Sequence, residues 1–224
     1  MGREVLASAT SAPVLASGRT LPLVGALAGL FPEGGLRRGS TVALGAGSFP
    51  GATSLALALL SGPCAGGSWC AVVGAADLGL VAAAQLGIDL ERLALVPAPG
   101  AKWAVVTAAL FEGFDVVVLC PAGPVGPSDA RKLEARARER GSVLAVLGGH
   151  WPGRVDVQLA VTGGGWEGLG DGFGYLSRRD LEVVATGRGA ASRPRRARLR
   201  LDDAGPGRVE ETVTWWPGAA EMSR

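Results

Sequence analysis

Four aliphatic residues in a row, Val116 to Leu119, stand between Asp115 and Cys120 with no polar residue among them. A strand wetted on one face alternates polar and apolar side chains. An unbroken run is the mark of a strand buried on both faces, as in a parallel sheet covered by helices. The same character recurs at residues 40–44 (STVAL), 69–73, 93–96 and 142–147. Between these runs the periodicity turns helical: 53–60 after a Gly-rich turn, 78–86 closed by Gly87, 103–112 ended by Gly113, and 128–141. The alternation of strand and helix predicts an α/β fold with a mostly parallel sheet flanked by helices.

Composition agrees. With 48% hydrophobic and 19% charged residues the chain has ample apolar side chains for a core, which excludes full-length disorder. The 36 Gly and 14 Pro exclude a coiled coil or plain helical bundle. The 22 basic and 20 acidic residues nearly cancel, which argues against a histone-like protein that holds nucleic acid by bulk charge. Arg outnumbers Lys by 20 to 2, and there is no Asn, a skew that reads as genomic base composition. Cys64, Cys70 and Cys120 lack metal-ligand spacing, and His150 is the sole histidine, so no metal or other cofactor is expected. Arg3 and Glu4 are followed by a mixed Ser/Ala/Thr stretch and not by a secretory h-region, and no uninterrupted apolar run reaches ~18 residues. A cytoplasmic protein without a membrane span is the expectation, with Cys70 and Cys120 as buried thiols.

The helix at 128–141 carries the clearest end signals. Ser128 is placed to cap it, Asp129 to favour its positive end, and Gly141 to close it. Ala130, Leu133 and Ala137 mark one apolar stripe, while Arg131, Lys132, Glu134, Arg136, Arg138, Glu139 and Arg140 read as a solvated face. After Pro152 the pattern changes to alternation at 155–161, 181–186, 197–201 and in part 209–215, which predicts antiparallel strands extending the C-terminal side of the sheet. Residues 163–174 contain seven Gly and read as a loop, with Trp166 and Phe173 either stacking on bases or folding back onto the sheet.

Strand, Gly-rich turn and helix between 40 and 60 is the context of a phosphate-binding loop, whose pattern is G-x-x-x-x-G-K-[ST]. Backbone N–H groups cradle the phosphates, the Lys neutralises their charge, and the hydroxyl holds magnesium. In the window from Ala46 to Thr53, Gly51 and Thr53 match, but Ala46 replaces the leading Gly and Ala52 the Lys, and Pro50 removes an amide donor. Arg37 and Arg38 precede the strand and belong at its far end. The acidic residue that would bind magnesium at the end of a buried strand is replaced by Cys120, and Asp115 lies at the wrong end. A triphosphate and its metal find no charge to hold them, so an active ATPase is not expected.

The runs 34–59, 69–96, 114–121 and 130–147 resemble, in order and spacing, successive blocks of the RecA ATPase core, over residues 21–187. The resemblance places the phosphate-loop Lys on Ala52, the water-activating Glu on Ala76 beside Asp77, and the strand-end Asp on Cys120. Within that superfamily the chain resembles the short, catalytically eroded ImuA-type accessory proteins of the actinobacterial mutasome. That likeness implies a non-catalytic adaptor in damage-induced mutagenesis and translesion synthesis. Its partners would be an ImuB-like inactive Y-family polymerase relative and an error-prone C-family polymerase. Two rivals remain: an ATP-dependent RecA-like recombinase or regulator that uses Asp77, and a SulA-like cell-division inhibitor.

Outside the core blocks, residues 1–20 read as a flexible lead-in and 188–224 as a basic extension. Arg188, Arg193, Arg195, Arg196, Arg198 and Arg200 fall in thirteen positions without an acid. They read either as a weak DNA-backbone contact or as the charged guard of a sheet edge. Trp215 and Trp216 are neighbours on a strand and point to opposite faces, which makes them candidates for partner docking. His150, after a strand end and two Gly, reads as a surface or capping residue.

Overall fold

The computed structural model describes residues 18–45, 50–148, 150–169, 174–202 and 214–215. The chain is α/β, and among these residues one nine-stranded sheet runs in the order β11-β10-β9-β8-β3-β7-β6-β4-β5. Its parallel part comprises β3 (Thr41–Leu44), β4 (Cys70–Val73), β5 (Leu93–Val96), β6 (Val116–Leu119), β7 (Val143–Leu147) and the start of β8 (Val157–Leu169). Then β9 (Gly174–Gly187), β10 (Arg195–Asp202) and β11 (Thr214–Trp215) continue it antiparallel on the C-terminal side. The sheet thus runs past residue 187, since β10 pairs with β9 from Arg195 to Asp202.

Each unbroken apolar run feeds two cores at once. Val116 and Val118 point into one cluster, with Leu55, Leu59 and Leu60 of α2 (Ala52–Ala65). Val117 and Leu119 point into the other, with Phe111 and with Ala130, Leu133 and Ala137 of α5 (Pro127–Arg140). That two-sided burial is what the missing polar alternation in VVVL required. The first face also carries α1 (Gly25–Leu30) and the antiparallel pair of β1 (Thr20–Pro22) and β2 (Gly35–Arg37) that α1 connects, which no sequence pattern announced. α3 (Leu80–Gln85) adds Ala83 to the first cluster, and Trp103 and Ala108 of α4 (Trp103–Leu110) pack on the second.

Three local expectations are corrected. The helix read at 53–60 runs on to Ala65 as α2, through Gly62 and Pro63, because residues 55–64 are buried and tertiary packing outweighs a local breaker. The cap of α5 is Gly126 and not Ser128: Pro127 takes the first turn, where its fixed φ and missing N–H cost nothing. The Gly-rich segment at 163–174 is no loop over its described part. β8 and β9 form a long hairpin through it, with register shifts between Val161 and Gly163 and between Glu167 and Leu169. Gly164 shows why glycine was needed there: its φ is 124°, and a Cβ would come within 2.0 Å of the Asp180 carbonyl oxygen. Phe173 lies outside the described residues, as do residues 1–17 of the lead-in.

The face of α5 read as solvated is so for most of its charges. Arg136 pairs with Glu139 at 2.8 Å and with Glu112, which Arg140 also meets at 2.7 Å. Glu134 is the exception, buried at 7% exposure. Its Oε1 accepts from Trp151 Nε1 at 2.8 Å and from the Arg154 N–H at 2.7 Å, so a carboxylate beside the apolar stripe anchors the chain after β7.

Candidate functional site

The parallel strands bring the sequence-predicted positions to one end of the sheet. β3 leads through Gly45 to α2, β4 ends at Gly74, and β6 ends at Cys120, with β7 lying between β3 and β6. Gly74 lies so close to Cys120 that a Cβ on it would sit 2.2 Å from the Cys120 carbonyl oxygen. At this end the described side chains are Ala52, half-buried as the first residue of α2, the exposed Thr53, Ala76 and Asp77, and the half-buried Cys120. Cys120 is therefore less enclosed than Cys70, and burial pushes its thiol pKa up, away from the thiolate form. Ala46 lies outside the described residues, and Gly51 is the N-cap of α2. Asp115 sits at the opposite end, where Arg38 Nη1 meets its carboxylate at 2.7 Å.

One residue at the loop end was not foreseen. Arg179, on β9, reaches back over the start of α2. Its Nη2 donates to the Pro50 carbonyl at 2.7 Å and its Nη1 to Ser54 Oγ at 3.1 Å. Its guanidinium carbon lies 4.6 Å from the centre of the Trp166 ring, its directly opposed partner across the hairpin. Nε is buried with no hydrogen-bond partner among the described residues, and burial pulls the guanidinium pKa down. Trp166 is still half exposed. The signal for Arg179 lay in the hairpin register, which becomes visible only once 163–169 is recognised as strand.

The basic stretch is in part engaged within the fold. Arg195 Nη1 donates to the carbonyls of Gly29 and Phe31, tying β10 to the C-terminal end of α1. Arg198 pairs with Glu182 at 2.8 Å and Arg200 with Asp180 at 3.1 Å, across the β9–β10 ladder. Arg196 is half-buried; Arg188 and Arg193 are exposed. Trp215 lies opposite Arg195 on the outermost strand, and Trp216 lies outside the described residues. His150 is exposed, next to the buried Trp151.

At the other sheet edge, all four residues of β5 (L-A-L-V) are only half-buried, and one side of its backbone pairs with no strand among the described residues. On the helices of this half of the sheet, Val81 of α3 is 74% exposed and Val105 of α4, on the opposite face, 71%, with Trp69 and Leu90 also open. Edge strands are ordinarily guarded by charge or Pro, and here the guards stand at the strand's ends, Glu91 and Arg92 before it and Pro97 after it, while its own four residues are apolar.

These features define an α/β protein with a mostly parallel sheet, an uncharged strand-to-helix turn at one end and an apolar edge. The chain belongs to the MT3502 N-terminal domain family, whose pattern matches residues 29–153. The uncharacterized protein Rv3395c of Mycobacterium tuberculosis is 41% identical over 150 residues, 63% of this chain and 73% of that protein. Among the described residues no group of His, Cys, Asp and Glu is placed to hold a metal ion, and no helix is long and apolar enough to cross a membrane.

Proposed function

We propose that the chain is a non-catalytic, RecA-like adaptor of the ImuA type that works by binding proteins in damage-induced translesion synthesis in the cytoplasm. One observation carries the proposal. The positions that would hold a triphosphate and its magnesium, Ala52 at the start of α2 and Cys120 at the end of β6, lie at the same end of the sheet and offer a methyl group and a neutral thiol. Magnesium takes hard oxygen ligands, and a polyphosphate needs cations. The exposed apolar residues Val81 and Val105, on the helices at the β5 side of the sheet, support a protein-binding role, because apolar side chains left open to water are candidate contact points for a partner. The partner proposed is an ImuB-like inactive Y-family polymerase relative, with an error-prone C-family polymerase in the same assembly.

Arg179 favours a second reading, the ATP-dependent one. A guanidinium beside a helix N-terminus is opposed by the helix dipole, and an anion placed between them would relieve that opposition. Co-purification separates the readings. The full chain is captured with the ImuB-like protein as bait, beside Val81→Glu and Val105→Glu variants with wild-type melting temperature. The adaptor reading expects binding that the two variants weaken and nucleotide leaves unchanged. Binding that requires MgATP, or recovery of a tubulin-like division protein in place of the polymerase relative, would overturn it.

A further inference from the structure

Opposite the loop end, where β3 and β8 begin, lies a cavity of about 190 Å³ that the proposed adaptor role does not use. Its walls are apolar at Phe31, Pro32, Val157 and Ala191, and three arginines, Arg37, Arg154 and Arg188, line it. Arg37 is shared with a second cavity of about 350 Å³, whose other lining residues are Arg19 and Arg38. Arg37 thus stands between the two, with Arg154 and Arg188 on one side and Arg19 and Arg38 on the other, an arginine track along this end of the molecule.

The charges along this track do not balance. Arg154 Nε is engaged by Asp156 at 3.1 Å, and the other oxygen of Asp156 accepts the Thr41 N–H at 3.0 Å. Arg38 is engaged by Asp115. Arg19, Arg37 and Arg188 are exposed and make no side-chain hydrogen bond or ion pair among the described residues, and Glu33 is the one unengaged acid in the lining. Three free guanidiniums therefore face one free carboxylate. The contrast with Arg195, Arg198 and Arg200 is direct, since each of those spends its donors within the fold.

We propose that this arginine track binds the phosphate backbone of a nucleic-acid strand without reading its bases. Guanidinium forks match phosphate oxygens in pairs, which suits free arginines better than any neutral ligand does. The first cavity is smaller than the roughly 300–1,000 Å³ of sites that enclose a small molecule. Its size suits one phosphate unit of a longer strand held along the arginines better than a whole enclosed ligand. The Arg-rich stretch 188–200 thereby contributes through Arg188 and not through its strand residues. This proposal stands on the arginines alone and survives or falls apart from the adaptor role.

Fluorescence anisotropy of labelled oligothymidine with the full chain, between about 50 and about 200 mM salt, tests it. The wild type is expected to bind. Arg37→Ala with Arg188→Ala should weaken binding at least tenfold at the lower salt, at unchanged melting temperature. The slope of log affinity against log salt should fall by about 0.7 for each phosphate that is no longer neutralised. Arg19→Ala alone should give a smaller change in the same direction, and Arg198→Ala with Arg200→Ala should leave both readings at wild type. Absence of binding by the wild type, a double variant that binds normally, or loss confined to the Arg198 and Arg200 pair would each overturn the proposal. So would displacement of the strand by inorganic tripolyphosphate at equal phosphate concentration, which would assign the track to a free phosphate ligand.

Discussion

The same parallel strands have two ends with opposite character. Where β3, β4 and β6 finish, the chain presents Ala52, Ala76 and Cys120, and its one nearby guanidinium among the described residues, Arg179, is hydrogen-bonded to Pro50 and Ser54. Where β3 and β6 begin, it presents Arg37, Arg38 and Asp115, with Arg19, Arg154 and Arg188 around them. In an open parallel sheet the C-terminal ends of the strands are the customary ligand crevice, with helix N-termini aimed at it. Here the strand ends carry no charge at Ala52, Ala76 and Cys120, Asp77 and the hydrogen-bonded Arg179 are the charged groups beside them, and most of the arginines sit at the other end. A sheet fixes where a crevice forms; side chains decide whether it holds anything.

That contrast is sharpened most by Gly74→Val. Gly74 has a φ of 83° and abuts the Cys120 carbonyl, so a branched side chain there forces β4 and β6 apart. A loss of at least about 3 kcal/mol in urea unfolding is expected. A near-neutral result would mean that this end is open and deformable, and the contrast between the ends would fail. Next in size is Glu134→Ala, which strips the buried Trp151 N–H and the Arg154 N–H of their shared acceptor. About 2 kcal/mol should be lost, with Glu134→Gln, which keeps a carbonyl acceptor, retaining part of it. Smaller still is Asp115→Ala, which frees Arg38 and removes the acceptor of the Trp69 N–H. The pair is partly exposed, so about 1 kcal/mol is expected. The same change should tighten oligothymidine binding, because it adds a free guanidinium to the track.

What was legible in the sequence followed from burial on two faces. VVVL and STVAL could hardly be anything but interior strands, and the β-strand–helix order carried the sheet with it, whereas the equally apolar run at 93–96 is the half-buried edge strand β5. That Ala52 and Cys120 carry no charge could be read directly from the sequence, and the structure places both at the same end of the sheet. Illegible were features that depend on pairing between distant segments. Trp166 and Arg179 face each other because of a hairpin register broken by two bulges, and glycines that signalled a loop turned out to serve those bulges. The β1–β2 pair has three-residue strands, too short for periodicity to register. Arg188 could not be told from Arg198 by position, since both lie in one basic run; only the cross-strand Glu182 separates an engaged arginine from a free one.

The central claim, that the loop end holds no nucleotide, is tested most directly by equilibrium titration of the full chain with labelled ATP and magnesium. The account predicts no saturable binding below about 1 mM, the weak end of measurable affinity, with Thr53→Ala and Arg179→Ala indistinguishable from wild type. Saturable binding near about 1 μM that either substitution abolishes would contradict it.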